Sequence, residues 1–136
     1  MQPAAPAWLA ALDAQVQAAV RRPFRWGEHD CATFAARCWA ARTGRDELAG
    51  LAWASEAEAQ AIIDAAGGLR ALVVARLGEP RAPLLAAHGD VVLALDPQAD
   101  PPREVLAVCL GQHHVAPGAR GLIVLPLEAA TAAWSA

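Results

Sequence analysis

The chain contains no lysine and no tyrosine, and it has one methionine, two phenylalanines and three cysteines. All 11 basic residues are therefore arginine, which fits GC-rich coding and says nothing of mechanism. The three cysteines, Cys31, Cys38 and Cys109, are odd in number and irregularly spaced. They make a poor disulfide framework and fit a reducing compartment better. Neither Cys-x-x-Cys nor His-x3-His occurs, so no zinc motif is present and neither metal nor cofactor is expected. No charge-free run of about 20 apolar residues exists, which excludes a standard membrane-spanning helix. Met1-Gln2-Pro3-Ala4-Ala5-Pro6 has no basic n-region, so export by a standard signal is not expected. With 14 acidic residues against 11 basic ones the formal net charge is −3, which argues against nucleic acid as a partner.

What is there is apolar and ordered in two halves. A length of 136 residues with 56% hydrophobic content predicts one compact domain, residues 1–136, with a core that needs no disulfide or metal. Trp8, Leu9, Leu12, Val16 and Ala19 or Val20 form a 3-4 stripe that predicts a helix from about Ala7 to Val20, ended by Arg21-Arg22-Pro23. A second helix is expected from about Cys31 to Arg42, with Cys31, Phe34, Cys38, Ala35 and Trp39 on one face and Thr43-Gly44 as its stop. Ser55-Glu56-Ala57-Glu58 caps a third that runs to about Ala66, and Leu69 to Leu77 makes a fourth.

From Gly89 the pattern changes to short β-branched runs. Strands are expected at Val91 to Leu95, Val105 to Leu110, Gln112 to Ala116 and Leu122 to Leu125. Asp96 to Pro102 forms a long, proline-stiffened hairpin loop, and Glu128 to Trp134 reads as a short final helix. The fold class is α+β, helices packed on a small antiparallel sheet.

The most informative stretch is Pro23-Phe24-Arg25-Trp26-Gly27-Glu28-His29-Asp30-Cys31-Ala32-Thr33-Phe34. Asp30 is a good N-cap, Trp26-Gly27 suits a tight entry turn, and Cys31 then opens a helix. Unpaired N–H groups and the positive end of the helix dipole favour a thiolate there. Cys31 is accordingly the candidate nucleophile, with Trp26 as a cleft wall. His29 reads as a solvent-facing or capping side chain, His88 as a loop residue at the rim, and Asp90 as a strand-start residue. Cys38 reads as core.

An aromatic-Gly-x-x-Asp-Cys-x-x-Phe string of this kind resembles the nucleophile region of the NlpC-type, papain-like cell-wall peptidases. Gly89-Asp90-Val91-Val92-Leu93 and Val105-Leu106-Ala107-Val108-Cys109-Leu110-Gly111 are similar to the two strand starts that follow it in that superfamily. The closing Gly121-Leu122-Ile123-Val124-Leu125-Pro126-Leu127, with Trp134, resembles the small NlpC-like proteins of phage and prophage tail modules. The resemblance spans roughly residues 22 to 134 and implies a papain-like fold with a catalytic cysteine at Cys31.

It also implies a histidine general base at the start of the second strand, where this chain has Val105. Valine takes no proton, so His114, or His113 beside it, is the candidate for the third polar position or for a relocated base. Two functions follow as expectations. One is a degenerate or atypical peptidase fold serving as a tail-tip or tail-assembly component, partnered by other proteins of the tail. The other is an active peptidoglycan endopeptidase or amidase in which Cys31 attacks a stem-peptide carbonyl. The expected location is the bacterial cytoplasm at synthesis, or a virion tail.

Overall fold

A computed structural model describes residues 5–136. Of the N-terminal stretch read above, Met1 to Ala4 lie outside the described residues. Four helices come first: α1 (Ala7–Ala19), α2 (Cys31–Thr43), α3 (Glu56–Ala66) and α4 (Leu69–Leu77). A five-stranded antiparallel sheet follows, built from β1 (Val91–Asp96), β2 (Arg103–Cys109), β3 (His114–Gly118), β4 (Gly121–Leu125) and β5 (Ala130–Trp134), in the order β4-β3-β2-β1-β5. The architecture is α+β, as the sequence predicts.

The local signals act as read. The Asp30 side chain accepts from the Thr33 N–H and Thr33 Oγ1 accepts from the Asp30 N–H, a reciprocal capping box that starts α2. Gly44, at φ +75°, ends it in the left-handed conformation. Ser55 caps α3 by accepting from the Glu58 N–H.

Alternation along the strands divides the sheet into two apolar faces. Val91, Leu93, Leu106, Val108, Val115 and Trp134 pack with Phe34 and Cys38 of α2 and with Leu12 and Val16 of α1. The opposite face carries smaller residues, among them Val92, Ala94, Ala107, Cys109 and Ala116, packed with Leu125 and bordered by Ala86 and Ala129. Phe34 is fully buried, and truncating such a residue typically costs about 3 to 5 kcal/mol. A buried joint ties the two halves together. Asp90, at the head of β1, is inaccessible to solvent and pairs with Arg42 of α2 at 3.2 Å, while the Arg42 guanidinium stacks 4.5 Å over the Trp8 ring.

Two expectations are corrected. Glu128 to Trp134 is not a helix: Leu127–Ala129 makes one 3-10 turn, and Ala130–Trp134 is a strand paired antiparallel with β1. The alanine-rich string has high helix propensity, but the ladder to β1 and the burial of Ala132, Ala133 and Trp134 override it. Trp134 is thus a core residue of the sheet, and its Nε1–H donates to the Gly78 carbonyl at 2.8 Å. The third strand begins two residues later than expected, at His114, which leaves His113 in the β2–β3 turn with its carbonyl accepting from the Leu110 N–H.

Each outer edge of the sheet is tied to a neighbouring segment at one point. The Leu122 N–H of β4 donates to the Val20 carbonyl, and Ala133 of β5 exchanges hydrogen bonds with Arg81. Strand backbone is also left unpaired between β2 and β3, where the ladder stops at Val108↔Val115.

Candidate functional site

The β2–β3 ladder holds only two partners in register, Val108↔Val115 and Cys109↔His114. Continued at the same register, the next hydrogen-bonded pair would join Leu106 to residue 117. That residue is Pro117, which has no N–H to give, so the pairing stops and the strands part. The Cys109 N–H bonds to Asp90 on the β1 side, so by the antiparallel alternation Glu104 and Leu106 direct their N–H and C=O groups away from β1, into the gap.

Cys31 enters that gap from the head of α2. The Leu106 N–H, together with the N–H of Ala32, is directed at its sulfur. The sulfur opens onto a cleft of about 940 Å³. Its floor is the face of α2 formed by Cys31, Ala32, Ala35, Ala36 and Trp39. Ile63 and Leu72 of the α3–α4 hairpin form one wall, and Arg103 to Leu106 with Pro117 form the other. Trp26 and Trp53 stand at the mouth, where Arg103 lies 5.7 Å from the Trp26 ring and pairs with Glu56 of α3 at 3.1 Å.

The entry turn is held by Asp30, which is 1% exposed. Its Oδ1 accepts from the Thr33 N–H at 2.9 Å, and its Oδ2 accepts from the Gly27 N–H at 2.8 Å and from Nε1 of Trp53 at 2.6 Å. Gly27 has φ +76°, and a Cβ there would come within 2.0 Å of the Trp53 carbonyl oxygen. Only glycine satisfies both demands. Asp30 is therefore a structural pivot, its carboxylate occupied by three donors.

The electrostatics of Cys31 differ from the expectation of a helix-stabilised thiolate. Burial pushes its thiol up, and neighbouring Asp30 pushes the same way. The N–H groups of Leu106 and Ala32 and the charge of Arg103 oppose this without overcoming it. The thiol is held protonated because loss of hydration outweighs the two N–H groups and the cation. Cys38 is fully buried core, its thiol pushed up to about 12 by the same loss of hydration. All three cysteines are free.

The histidines do not assemble around the sulfur. His114 stands opposite Cys109 and Leu125 in the ladders, so its side chain shares their face, the one turned away from α2. It is 1% exposed, and burial lowers its pKa against the opposing pull of the Leu127 backbone. His113 lies in the β2–β3 turn, and neither lines the cleft. The expectation that one of them serves Cys31 is corrected by strand alternation: the inward-turned histidine points to the wrong side of the sheet.

His29 is also corrected. It is fully buried rather than solvent-facing, its Nδ1 accepting from Arg37 and its ring set edge-on to Phe34 at 6.0 Å. Burial lowers its pKa, and the charges of Arg37 and Arg22 add to the effect. His88 is exposed in the turn before β1. Val105, the position the resemblance assigns to the base, packs against the small-residue cluster and borders the cleft.

Sequence reasoning missed Trp53, Arg103 and the α3–α4 wall. Nothing local in Leu51-Ala52-Trp53-Ala54 announces a bond to a residue 23 positions away. Pro117 inside a strand run was a legible signal of an interrupted ladder. Among the described residues no group of three or more His, Cys, Asp or Glu side chains is placed to hold a metal ion.

The family model described as "Domain of unknown function (DUF6950)" matches residues 3–136. The chain belongs to that family. No curated protein and no solved structure matches it. What this chain offers chemically at the site is a capped helix end, a protonated thiol, a mostly apolar trough and an interrupted strand pair. No helix among its described residues is long and apolar enough to cross a membrane.

Proposed function

We propose that this DUF6950 chain is a degenerate papain-like, NlpC-type peptidase fold that acts as a docking component of a phage tail or tail-like particle. One observation carries the reading: Cys31, the residue the resemblance makes the nucleophile, heads α2, while no histidine lines the cleft it opens into. Acyl transfer from an amide needs a group that takes the thiol proton and returns it to the leaving amine. Here the thiol is held protonated by burial and the base position is Val105. The tail setting rests on the likeness of Gly121 to Leu127 and Trp134 to tail-module proteins. The partners are then other proteins of the same particle.

The alternative, a peptidoglycan hydrolase with Cys31 as nucleophile, has the Asp30 cap and the two N–H groups at the sulfur in its favour. It requires a base that these side chains do not supply. The deciding experiment incubates purified peptidoglycan with the protein and with Cys31→Ser, and assays new stem-peptide termini by mass spectrometry. None is expected. Termini that form with the parent protein and vanish with Cys31→Ser would overturn the proposal.

A further inference from the structure

The cleft combines three features that a structural relic has no need to keep together. Its β2 wall offers backbone: the Glu104 N–H and C=O face the gap, and no donor or acceptor among the described residues meets them. Its α2 floor is a trough of small side chains, Ala32, Ala35 and Ala36, that ends at Trp39. The Trp39 indole N–H is buried without a partner among the described residues. Its rim is acidic, with Glu47, Glu56, Asp64, Asp96 and Glu104 set against two arginines, Arg76 and Arg103. Both arginines are engaged, Arg76 with the carbonyls of Glu47 and Ala49, and Arg103 with Glu56.

Each feature selects against some occupants. A lipid chain would fill the trough but leave the Glu104 amide unmet. A glycan would use the polar rim but gains little from an alanine floor. An extended polypeptide meets all three, because its backbone pairs with a strand edge while alternate side chains point to opposite sides. The acidic rim adds a charge preference.

We propose that the cleft is a docking slot for an extended segment of a partner protein, which pairs with β2 at Glu104, lays an apolar side chain on the α2 floor and sets a basic side chain against the rim carboxylates. This deepens the reading of the chain as a docking component and rests on it. Cys31, at the end of the slot, serves as a reporter of occupancy, since a segment lying along β2 covers its sulfur.

The test uses the full chain and four synthetic probes. These are an acetylated, amidated pentapeptide alternating leucine and arginine, its fully N-methylated analogue, the matching leucine–glutamate peptide, and decanoate. Each is titrated while iodoacetamide labelling of Cys31 is followed by peptide mass spectrometry. The leucine–arginine peptide is expected to slow labelling at least fivefold at saturation. N-methylation removes the strand donors and is expected to weaken binding at least tenfold, and the acidic peptide is expected to give no protection. Glu104→Lys, an exposed change that leaves the backbone intact, is expected to shift the preference toward the leucine–glutamate peptide.

Equal protection by the methylated peptide or by decanoate would overturn the proposal, since the trough would then be filling without strand pairing. Protection by none of the four would overturn it as well. The same samples separate this failure from that of the broader reading. A peptide that protects and is also cut, with the cut lost in Cys31→Ser, sinks the non-catalytic reading and leaves the slot standing. Uncut peptides that fail to protect sink the slot alone.

Discussion

The indole of Trp53 donates to the carboxylate of Asp30 at 2.6 Å, linking the loop before α3 to the first turn of α2. Through this bond one buried carboxylate positions the entry turn, the helix that carries Cys31 and the mouth of the cleft.

Asp30→Ala removes the acceptor for the Thr33 N–H, the Gly27 N–H and the Trp53 indole together. A lost N-cap typically costs about 1 kcal/mol, and each of the two part-buried donors left unmet, Gly27 N–H and Trp53 Nε1–H, costs about 1 to 2 kcal/mol, the lower part of the range for buried groups. The expected loss is about 3 to 5 kcal/mol, read as a lower urea midpoint at an unchanged slope. A loss below about 1 kcal/mol would show that the pivot is not formed.

The Cys31 thiol is pushed above its ordinary value by burial. Its alkylation rate should therefore rise later on the pH axis than the rate of the same thiol in urea-unfolded protein, with Cys31→Ser as the blank. A midpoint earlier than in the unfolded chain would restore the activated thiolate.

His29 and His114 are buried with lowered pKa values, chiefly through loss of hydration. The unfolded chain then binds more protons than the folded one between the lowered values and the ordinary value of about 6.5. Stability is full above about pH 6.5 and falls as the pH drops through the lowered folded values. Thermal melts from pH 7.5 to pH 5 should show a declining midpoint, and His114→Leu should flatten the decline. An identical slope in the variant would remove His114 from the account.

Pro117→Val returns an N–H opposite Leu106 and permits the β2–β3 ladder to advance by one hydrogen-bonded pair. The gap then narrows, and Cys31 labelling should slow severalfold. Amide exchange at residue 117 should show protection. Unchanged labelling together with a fast-exchanging amide would mean that something other than the proline holds the strands apart.

Much of this was legible in the chain and some was not. Helices α2 and α4 could be bounded within a residue because Asp30, Gly44, Gly68 and Gly78 flank them with strong local chemistry. β5 could not, because Ala130 to Trp134 is a helix former by propensity and a strand only by its ladder to β1. The placement of Cys31 at a helix head followed from Asp30. Its protonation did not, since that depends on how far the folded chain takes the sulfur out of water. His114 was the most misleading residue: the parity that turns it inward was readable, whereas the face on which α2 packs was not.

Each outer edge of the sheet is tied at one point, at Val20 with Leu122 and at Arg81 with Ala133, while the bare stretch of β2 lines one wall of the cleft. These ties shorten the free ribbon at either edge, which blunts edge-to-edge stacking of copies. The backbone left without a partner on β2 is then the part of the sheet most open to pairing, and it faces the cleft rather than an outer edge.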